Sequence, residues 1–541
     1  MSAWFHKQTL GRLADQAAAR FGEREALMFA GRRWSFRALA DEVDRAAQGL
    51  LALGIRPGEK VGVWLLNRPE WIFAVLALAK IGAVFVPINS RLRTADVGYI
   101  LDQSDSVALI CAQRSGPIDY LAMVRELAPG SLAPRPDAPL AEALPLLRHI
   151  LLLGESPQPG AISWDDVLRG GRAVSDETLD ARAGAVDPDG LLYIMYTSGT
   201  TGFPKGAMHC HNILRNVTDQ ANRLAVTPRD VMLINLPLFH VFAFFEGPLM
   251  CLHTGARMVL MESFDAEQTL DAIQAERATM VHGFDFNFKP MLAAQQARPR
   301  DVSSLRTGVL GAGMASSTEV AYQAQEVFMP TVSGFGMTEI GIGAALGFIT
   351  GTREQRCETS GYPLPGYELR VIDPETGQRQ PDGEPGEIQV RGYMVTRGYY
   401  KKPEETAKAI DAQGWLSTGD MGILRNDGHL VLMGRYKDIL KVGGENVDPL
   451  EVESFLLQHP AVREVAVVSC PDEALTEVGV AFIVPRPGQP PPGTADIAAF
   501  CKGRIAGYKI PKRVEIVEAL PVTGSGKVQK FKLREQARAG R

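Results

Sequence analysis

One polar segment of the sequence has the residue types that bind phosphate. It is YTSGTTGFPKG, residues 196–206, which follows an apolar run expected to be a buried strand and precedes a stretch with helical periodicity. Its glycines and hydroxyls allow backbone N–H groups and side chains to converge on phosphate oxygens, while Lys205 adds positive charge. Because Gly206 follows the lysine, the segment differs from a Walker loop. The alternative is a glycine-rich surface turn, which so long a polar segment between a strand and a helix disfavours.

The elements expected to position this segment are alternating helices and strands. An amphipathic helix at 39–53 alternates with short apolar strands at 61–66, 84–88 and 107–111. That alternation predicts βα units and a mainly parallel sheet. The apolar run at 71–88 is interrupted by Lys80, so we expect a core helix leading into a buried strand and not a membrane span. Residues 129–159 are rich in proline, alanine and glycine, which predicts a surface excursion.

The second part of the chain has a different pattern. Residues 360–435 contain short apolar runs separated by glycine and proline turns, which predicts a β-rich subdomain. Beyond them the sequence predicts a compact α+β unit with helices at 449–458 and 495–505 and strands at 465–469, 478–484 and 513–517. We therefore expect an α/β fold with a large domain of residues 1 to about 434 and a small mobile lid domain of residues 436–541.

Composition excludes several classes of protein. The formal net charge is −5 with scattered lysines and arginines, which argues against a nucleic-acid partner. The six cysteines contain no CxxC pair, which argues against a zinc site or a disulfide framework and indicates a reducing, cytoplasmic compartment. The first residues lack the apolar core of a signal peptide. We expect small-molecule partners.

The phosphate-binding segment resembles the signature of a known superfamily. TSGTTGFPKG is similar to the phosphate loop of adenylate-forming enzymes, which include acyl-CoA synthetases, non-ribosomal adenylation domains and firefly-type luciferases. GFGMTE (334–339), STGD (417–420), GRYKDILKVGGENVDPLEVE (434–453) and PVTGSGK (521–527) resemble further motifs of the superfamily in the same order. The pattern is most similar to that of fatty acyl-CoA synthetases. The resemblance implies the adenylate-forming fold and an acyl adenylate whose acyl group passes to coenzyme A.

The resemblance assigns ATP to several segments. The phosphate-binding residues would be Thr197, Ser198, Gly199, Thr200, Thr201, Gly202 and Lys205. Adenine and ribose would be bound by Gly311, Ala312, Gly334, Phe335, Asp420 and Arg435. Thr338 and Glu339 would be catalytic, with Glu339 as a ligand of Mg²⁺, an ion that prefers carboxylate and phosphate oxygens. Considered alone, such residues are more often core residues, turn caps or surface groups.

The resemblance gives the lid two roles. Lys527, in a loop of glycine and serine, would bridge the carboxylate of the acid and the α-phosphate while negative charge builds there. Lys437 would mark the hinge between the domains. Lys441, Gly443 and Gly444 would form the face that admits the pantetheine arm of coenzyme A during thioester formation.

The pocket for the acid is expected in two segments rich in phenylalanine. The resemblance assigns His240, Phe242, Phe284 and Gly313 to the acyl group. Segments 239–245 and 283–288 contain no lysine or arginine, which predicts an apolar wall for a medium-chain fatty, carbocyclic or aromatic acid. The alternative is that several of the phenylalanines are core residues. Asp285 is expected to pair with Lys289 at the i+4 spacing of a helix and not to contact a polar substrate group.

Other functions share these features. An amino-acid adenylation domain would have an aspartate where PLFHVFA has His240. An acyl-AMP ligase that loads a separate carrier protein would not consume free coenzyme A. A luciferase-like oxidase is a third alternative, and a catalytically inactive nucleotide-binding sensor is disfavoured because Lys527 and Glu339 are present. The expected cosubstrates are a carboxylic acid, ATP and coenzyme A, with Mg²⁺ as cofactor, and a homodimer stays open.

Overall fold

The computed structural model describes most of the chain. It covers residues 5–115, 118–130, 132, 139–154, 158, 160–197, 204–311, 315–435, 438, 440–442, 445–447, 449–472, 475–502, 504–505, 507–522 and 528–539. Within these ranges, no helix combines the length and the apolar character needed to cross a bilayer.

A mainly parallel sheet forms the centre of the amino-terminal part. The strands of this part are β1 (Glu25–Phe29), β2 (Arg32–Ser35), β3 (Lys60–Trp64), β4 (Val84–Pro87), β5 (Ser106–Ala112), β6 (Arg114–Ser115), β7 (Ile118–Asp119), β8 (His149–Leu153), β9 (Ile162–Ser163), β10 (Leu191–Thr197) and β11 (Lys205–Cys210). Seven of these strands form the main sheet, in the order β11-β10-β4-β3-β5-β8-β9. Each neighbouring pair is parallel except the β10–β11 hairpin. The predicted parallel sheet is confirmed.

Helices accompany the strands of this part of the chain. They are α1 (Leu13–Phe21), α2 (Phe36–Ala52), α3 (Pro69–Lys80), α4 (Thr94–Gln103), α5 (Tyr120–Leu127), α6 (Trp164–Gly170), α7 (Asp176–Gly184) and α8 (Ile213–Arg223). Every residue of helix α3 except Glu70 is buried, as predicted for the apolar run. Lys80 is tolerated there because its ammonium group pairs with Asp44 and, at 2.7 Å, with Asp15.

The surface excursion predicted for residues 129–159 is wrong in its last part. Residues His149–Leu153 form β8, in which every residue is buried. The strand lies parallel to β5 inside the main sheet. Its sequence HILLL is a short apolar run of the kind that fills a buried parallel strand. The proline-rich composition around it concealed that signal.

The middle of the chain adds a second parallel sheet and several short strands. The strands are β12 (Val231–Ile234), β13 (Arg257–Leu260), β14 (Met280–Val281), β15 (Gly283–Phe284), β16 (Gly308–Gly311), β17 (Thr331–Val332), β18 (Gly334–Phe335), β19 (Ala345–Leu346) and β20 (Tyr362–Pro363). The helices are α9 (Val241–Phe244), α10 (Met250–Thr254), α11 (Ala266–Glu276), α12 (Asp285–Ala297), α13 (Ala315–Val327) and α14 (Arg353–Glu358). A π-helical turn, Phe245–Leu249, joins α9 to α10. The sheets have the orders β14-β12-β13-β1-β2, β15-β16-β17 and β18-β19-β20.

Antiparallel strands dominate the rest of the chain. Strands β21 (Tyr367–Ile372), β22 (Gly386–Gly392), β23 (Leu416–Leu424) and β24 (Leu430–Arg435) form a meander, which confirms the β-rich subdomain, and α15 (Pro403–Ala409) lies between β22 and β23. The final unit comprises β25 (Leu440–Val442), β26 (Glu445–Val447), α16 (Pro449–Leu456), β27 (Val462–Asp472), β28 (Thr476–Pro485), α17 (Thr494–Cys501), β29 (Arg513–Ile516) and α18 (Lys530–Ala539).

The final unit has hydrophobic clusters of its own. Their buried members, which include Leu456, Val467 and Phe482, all come from residues 440–537. A small carboxyl-terminal α+β domain beside a large α/β domain is therefore confirmed. The boundary at 434–436 and the hinge at Lys437, which lies outside the described residues, stay predictions.

Candidate active site

Residues predicted for the acid and for the nucleotide line one cavity of about 250 Å³. The predicted residues in its wall are His240, Phe242, Phe284, Gly311, Gly334, Phe335 and Thr338. They come from chain segments that are far apart in the sequence and meet only in the folded protein. The cavity therefore joins the segments that the sequence analysis assigned to two different ligands.

Three phenylalanines from the two segments predicted for the acid line the cavity. The ring of Phe284 stacks on that of Phe286 with centroids 5.5 Å apart, and it meets the ring of Phe242 edge-on at 5.3 Å. Strands β15 and β16 place Phe284 beside Gly311 as register partners. A Cβ atom added to Gly311 would lie 2.6 Å from the Phe284 ring, so the absent side chain makes room for this ring.

The other phenylalanines of the two segments belong to the core. Phe239, Phe244, Phe245 and Phe288 are buried and are absent from the described wall of the cavity. The alternative that several of these rings are structural is thus correct for these four. Phe286 is the additional phenylalanine that lines the cavity.

Asp285 is not part of the cavity wall that the structure describes. It begins helix α12, and its Oδ2 lies 3.6 Å from Nζ of Lys289 one turn later. The predicted pairing of these two side chains is confirmed. The apolar wall therefore has no contribution from this carboxylate.

His240 immediately precedes α9 and contributes a neutral polar group to the cavity. Burial, together with the positive charge of Arg91, lowers the pKa of His240 to about 4. Its Nε2 atom is buried and has no hydrogen-bond partner among the described residues. A ring nitrogen in this state is free to bond a ligand.

The GFGMTE segment is held against the chain's own backbone. Strand β18 pairs with β19, and a Cβ atom added to Gly336 would lie 1.9 Å from the carbonyl oxygen of Ile342. This glycine is therefore required by packing between two backbone segments and not by the approach of a base. A single 3₁₀ turn, Thr338–Ile340, follows. His209 holds this turn, because its Nε2 lies 2.7 Å from the carbonyl oxygen of Thr338.

The carbonyl acceptor fixes the direction of that hydrogen bond, and burial fixes the charge of the His209 ring. Burial lowers the pKa of His209 to about 4, so the ring is neutral at pH 7. A carbonyl oxygen can only accept a hydrogen bond. Nε2 of His209 therefore carries the proton and donates a hydrogen bond to the carbonyl oxygen of Thr338. The turn that presents Thr338 and Glu339 is fixed from the side of the main sheet, because His209 lies on β11.

A tyrosine connects the predicted magnesium ligand to the lysine of the phosphate-binding segment. The hydroxyl of Tyr399 donates to Oε1 of Glu339 over 3.0 Å. Nζ of Lys205 lies 4.6 Å from the centroid of the Tyr399 ring and 3.3 Å from Oε2 of Glu405. The side chain of Glu339 is buried. The backbone carbonyl oxygen of the same residue accepts a hydrogen bond of 2.7 Å from the backbone N–H of Thr396. Lys205 and Glu339, predicted separately, thus contact the same tyrosine, Lys205 over its ring and Glu339 at its hydroxyl.

The surroundings of the phosphate-binding segment differ from the prediction in one respect. Thr197 ends β10 and Lys205 begins β11, and these two residues are register partners in an antiparallel hairpin. The segment is therefore followed by a strand, and α8 begins only at Ile213. The predicted strand before the segment and the predicted helix after it are both present, but strand β11 between the segment and α8 was not predicted, because KGAMHC has little of the period-2 alternation that marks a strand.

Asp420 and Arg435, predicted for the ribose, are neighbours across the meander. Their backbones are register partners on β23 and β24. Asp420 is 8% exposed, and its N–H donates to Oγ1 of Thr418 over 3.1 Å. Lys441 lies on β25, opposite Asn446 on β26.

The remaining predicted site residues lie outside the described part of the chain. They are Ser198, Gly199, Thr200, Thr201, Gly202, Ala312, Gly313, Lys437, Gly443, Gly444 and Lys527. Their roles stay predictions.

The structure also identifies residues that the sequence analysis missed. Gln220, Glu246 and Met337 line the cavity, and Tyr399 contacts both Lys205 and Glu339. No local pattern marks Tyr399 or Gln220. Glu246 did give a signal, since it is a single acidic residue inside the apolar run VFAFFEGPLM.

Comparison with known proteins agrees with this architecture. The profile of the family described as "AMP-binding enzyme" matches residues 14–400, and that of the "AMP-binding enzyme C-terminal domain" matches residues 451–527. The chain belongs to the AMP-binding enzyme family. The resemblance to the adenylate-forming superfamily is thereby confirmed, together with the class of AMP-forming acid:CoA ligases.

Three similar proteins illustrate the range of the family. The medium-chain acyl-CoA ligase ACSF2 of Homo sapiens, a mitochondrial protein, is 33% identical over 98% of this chain and 88% of its own length. The 3-[(3aS,4S,7aS)-7a-methyl-1,5-dioxo-octahydro-1H-inden-4-yl]propanoyl:CoA ligase of Rhodococcus jostii (strain RHA1) is 36% identical over 96% of this chain and 97% of its own. The crystal structure of the anthranilate CoA ligase AuaEII with anthranoyl-AMP has a TM-score of 0.85 and 29% identity, covering 99% of this chain and 98% of that one.

Proposed function

We propose that this protein activates an uncharged medium-chain or carbocyclic carboxylic acid as an acyl adenylate and transfers the acyl group to coenzyme A. The observation that carries the proposal is that Phe242 and Phe284 line the same cavity as the segment Gly334–Thr338. An acid whose tail lies against the rings would present its carboxylate toward the residues predicted for ATP. This arrangement holds two reactants side by side, as an acyl transfer to AMP requires.

In the first half reaction the carboxylate attacks the α-phosphate of ATP, and pyrophosphate leaves. Residues 197–202 and Lys205 would bind the phosphates, Phe335, Gly334, Gly311 and Ala312 the adenine, and Asp420 and Arg435 the ribose. The register pairing of Asp420 with Arg435 supports a joint contact with one sugar. Lys527 would stabilise the negative charge that builds between the carboxylate and the α-phosphate.

Magnesium is the proposed cofactor of this half reaction, with Glu339 as its ligand. The described residues contain no group of three or more His, Cys, Asp or Glu side chains that could hold a metal by themselves. A single buried carboxylate fits Mg²⁺, because this ion is usually held by one or two carboxylates together with substrate phosphates. When bound, the ion would neutralise charge on the phosphates. Tyr399 orients the carboxylate through Oε1.

In the second half reaction the thiol of coenzyme A attacks the acyl carbon, and AMP leaves. The lid would change faces around Lys437, so that Lys441, Gly443 and Gly444 replace Lys527 at the site. The antiparallel pairing of β25 with β26 supports this assignment, because Lys441 and the residues before and after the two glycines lie on one pair of strands. One site can then serve both half reactions.

The residues in the wall of the cavity favour an acid with an uncharged hydrocarbon tail. The described lining residues include no lysine and no arginine that could meet a second carboxylate. Each buried methylene group of an acid contributes about 0.8 kcal/mol of favourable transfer free energy. Two relatives named above act on medium-chain acids and on a bicyclic propanoic acid, which agrees with this class. The resulting thioester would feed the metabolism of fatty or carbocyclic acids.

Release of AMP measured across a panel of straight-chain, carbocyclic, aromatic, dicarboxylic and amino acids tests the proposal. We expect AMP release that depends on both an uncharged acid and free coenzyme A. Acyl-AMP that accumulates without consumption of coenzyme A would instead indicate an acyl-AMP ligase that loads a carrier protein. A preference for dicarboxylic or amino acids would refute the assignment of the tail.

We propose a cytoplasmic location. All six cysteines are free and buried, as is common for proteins of a reducing compartment. Cell fractionation with an antibody against the protein would test this, and recovery in a membrane or organelle fraction would contradict it.

A further inference from the structure

One ionisable side chain in the cavity has no function in the reaction described above. Glu246 lines the cavity together with His240 and Phe242, and it is 3% exposed. It lies in the π-helical turn Phe245–Leu249, which also contains Pro248. Wide turns of this kind inside helices are frequent at functional sites.

One oxygen of the Glu246 carboxyl group lacks, among the described residues, the hydrogen-bond partner that a buried carboxyl normally has. Oε2 is fully buried and has no hydrogen-bond partner among the described residues. Glu246 also takes part in no described ion pair. By contrast, the buried ammonium group of Lys80, elsewhere in the protein, pairs with two carboxylates. Leaving a buried polar atom unpaired costs stability, and such an atom in a native protein requires an explanation.

The charge of the cavity indicates which form of the carboxyl group is present. The described lining residues include no lysine and no arginine, and His240 is neutral. Burial raises the pKa of Glu246 well above its ordinary value, which favours the protonated acid. A protonated carboxyl group both donates and accepts a hydrogen bond. It therefore matches a ketone, which accepts, or a hydroxyl, which does both.

We propose that Glu246 recognises an uncharged oxygen function, a ketone or a hydroxyl, on the tail of the acid. The aromatic wall of Phe242, Phe284 and Phe286 binds the hydrocarbon part, and Glu246 provides a directional polar contact within it. The site therefore selects oxygenated carbocyclic or medium-chain acids over the corresponding plain hydrocarbons. This inference rests on the proposed acid:CoA ligase activity.

A matched pair of acids tests the inference, namely 3-cyclohexylpropanoate and 3-(4-oxocyclohexyl)propanoate. The ratio of kcat/KM for the keto acid to that for the plain acid is measured in the wild-type enzyme, Glu246→Gln and Glu246→Leu. We expect the wild type to prefer the keto acid at least about fivefold, since a pocket that bonds a polar group disfavours the analogue without it. Glu246→Gln keeps a donor of the same shape and should retain part of the preference. Glu246→Leu should reverse the preference, so that the plain acid becomes the better substrate.

Asp219→Asn is the control. Asp219 is also buried, and burial raises its pKa to about 6, but it is absent from the described wall of the cavity and its Oδ2 accepts from Tyr393. This variant should keep the wild-type ratio. A uniform loss of activity with an unchanged ratio would mark a general effect of removing a buried carboxyl group.

Several results would overturn the inference. They are a wild-type ratio of one or below, an unchanged ratio in Glu246→Leu, and a preference for 3-(4-aminocyclohexyl)propanoate, which would pair its ammonium with an ionised Glu246. If Glu246→Leu does not fold, the wild-type and Glu246→Gln ratios decide. Absence of AMP release with every acid would instead refute the proposed ligase activity.

Discussion

The hydroxyl of Tyr399 donates a hydrogen bond of 3.0 Å to Oε1 of Glu339, the predicted ligand of magnesium. The same ring lies 4.6 Å below Nζ of Lys205, which was predicted to bind phosphate. Glu339 and Lys205 are separated by more than a hundred residues in the sequence. Tyr399 therefore relates the orientation of a carboxylate to the position of a cation in the same part of the site.

Tyr399→Phe tests this relationship. The change removes the bond that orients Glu339 and keeps the ring beneath Lys205. We expect the Mg²⁺ concentration for half-maximal adenylation to rise about tenfold, since partners of metal ligands affect metal affinity to that extent. Activity at saturating Mg²⁺ should stay close to that of the wild type. Tyr400→Phe is the control, because the Tyr400 hydroxyl donates to Asp105 instead. Equal effects of both variants would contradict the relationship.

Lys527→Ala tests the division of labour between the two faces of the lid. The lysine is proposed to act in adenylation alone, so pyrophosphate exchange that depends on the acid should fall about 100- to 1,000-fold, as on loss of other groups that stabilise transition-state charge. Conversion of supplied acyl-AMP to thioester should continue. Equal loss of both half reactions would refute the role.

Gly444→Leu should give the opposite asymmetry. A large side chain in the proposed pantetheine channel should reduce thioester formation roughly tenfold or more by displacing the thiol. Acyl-AMP should still form, which a pyrophosphate release assay without coenzyme A would measure. If adenylation decreases to the same extent, Gly444 has a structural role.

Glu246→Gln should change the pH dependence of stability. The raised pKa means that folded Glu246 keeps a proton which the unfolded chain releases above its ordinary pKa near 4.5. Wild-type stability then falls as the pH rises above that value, by at most about 1.4 kcal/mol per pH unit. The difference in Tm, variant minus wild type, should be smallest at pH 5 and increase towards pH 8.

Glu368→Gln is the matched control for that measurement. A hydrogen bond from Arg391 lowers the pKa of Glu368 on the protein surface, so its replacement should give no gain in Tm at high pH. A Tm difference for Glu246→Gln that does not change between pH 5 and pH 8 would show that the carboxyl group titrates normally in the folded protein.

Much of the architecture could be predicted from local patterns. The apolar run at 71–88 forms the buried helix α3 and strand β4. The short strands predicted between glycine and proline turns at 360–435 include those of the meander β21–β24. Strand β8 was missed because its five apolar residues lie in a proline-rich context, and whether such a run is buried depends on a partner strand elsewhere in the chain.

The sequence by itself determined the family and the set of residues that belong to its motifs, because those motifs occur as short continuous segments in a constant order. It also determined that Asp285 and Lys289 pair, since the i+4 spacing on a helix is a local property. Only the tertiary structure decided which phenylalanines face the cavity and which fill the core. It also placed Tyr399 against Glu339 and buried Oε2 of Glu246 without a hydrogen-bond partner among the described residues. The reason is physical: burial and contact depend on which distant segments pack together, and no local spacing encodes that packing.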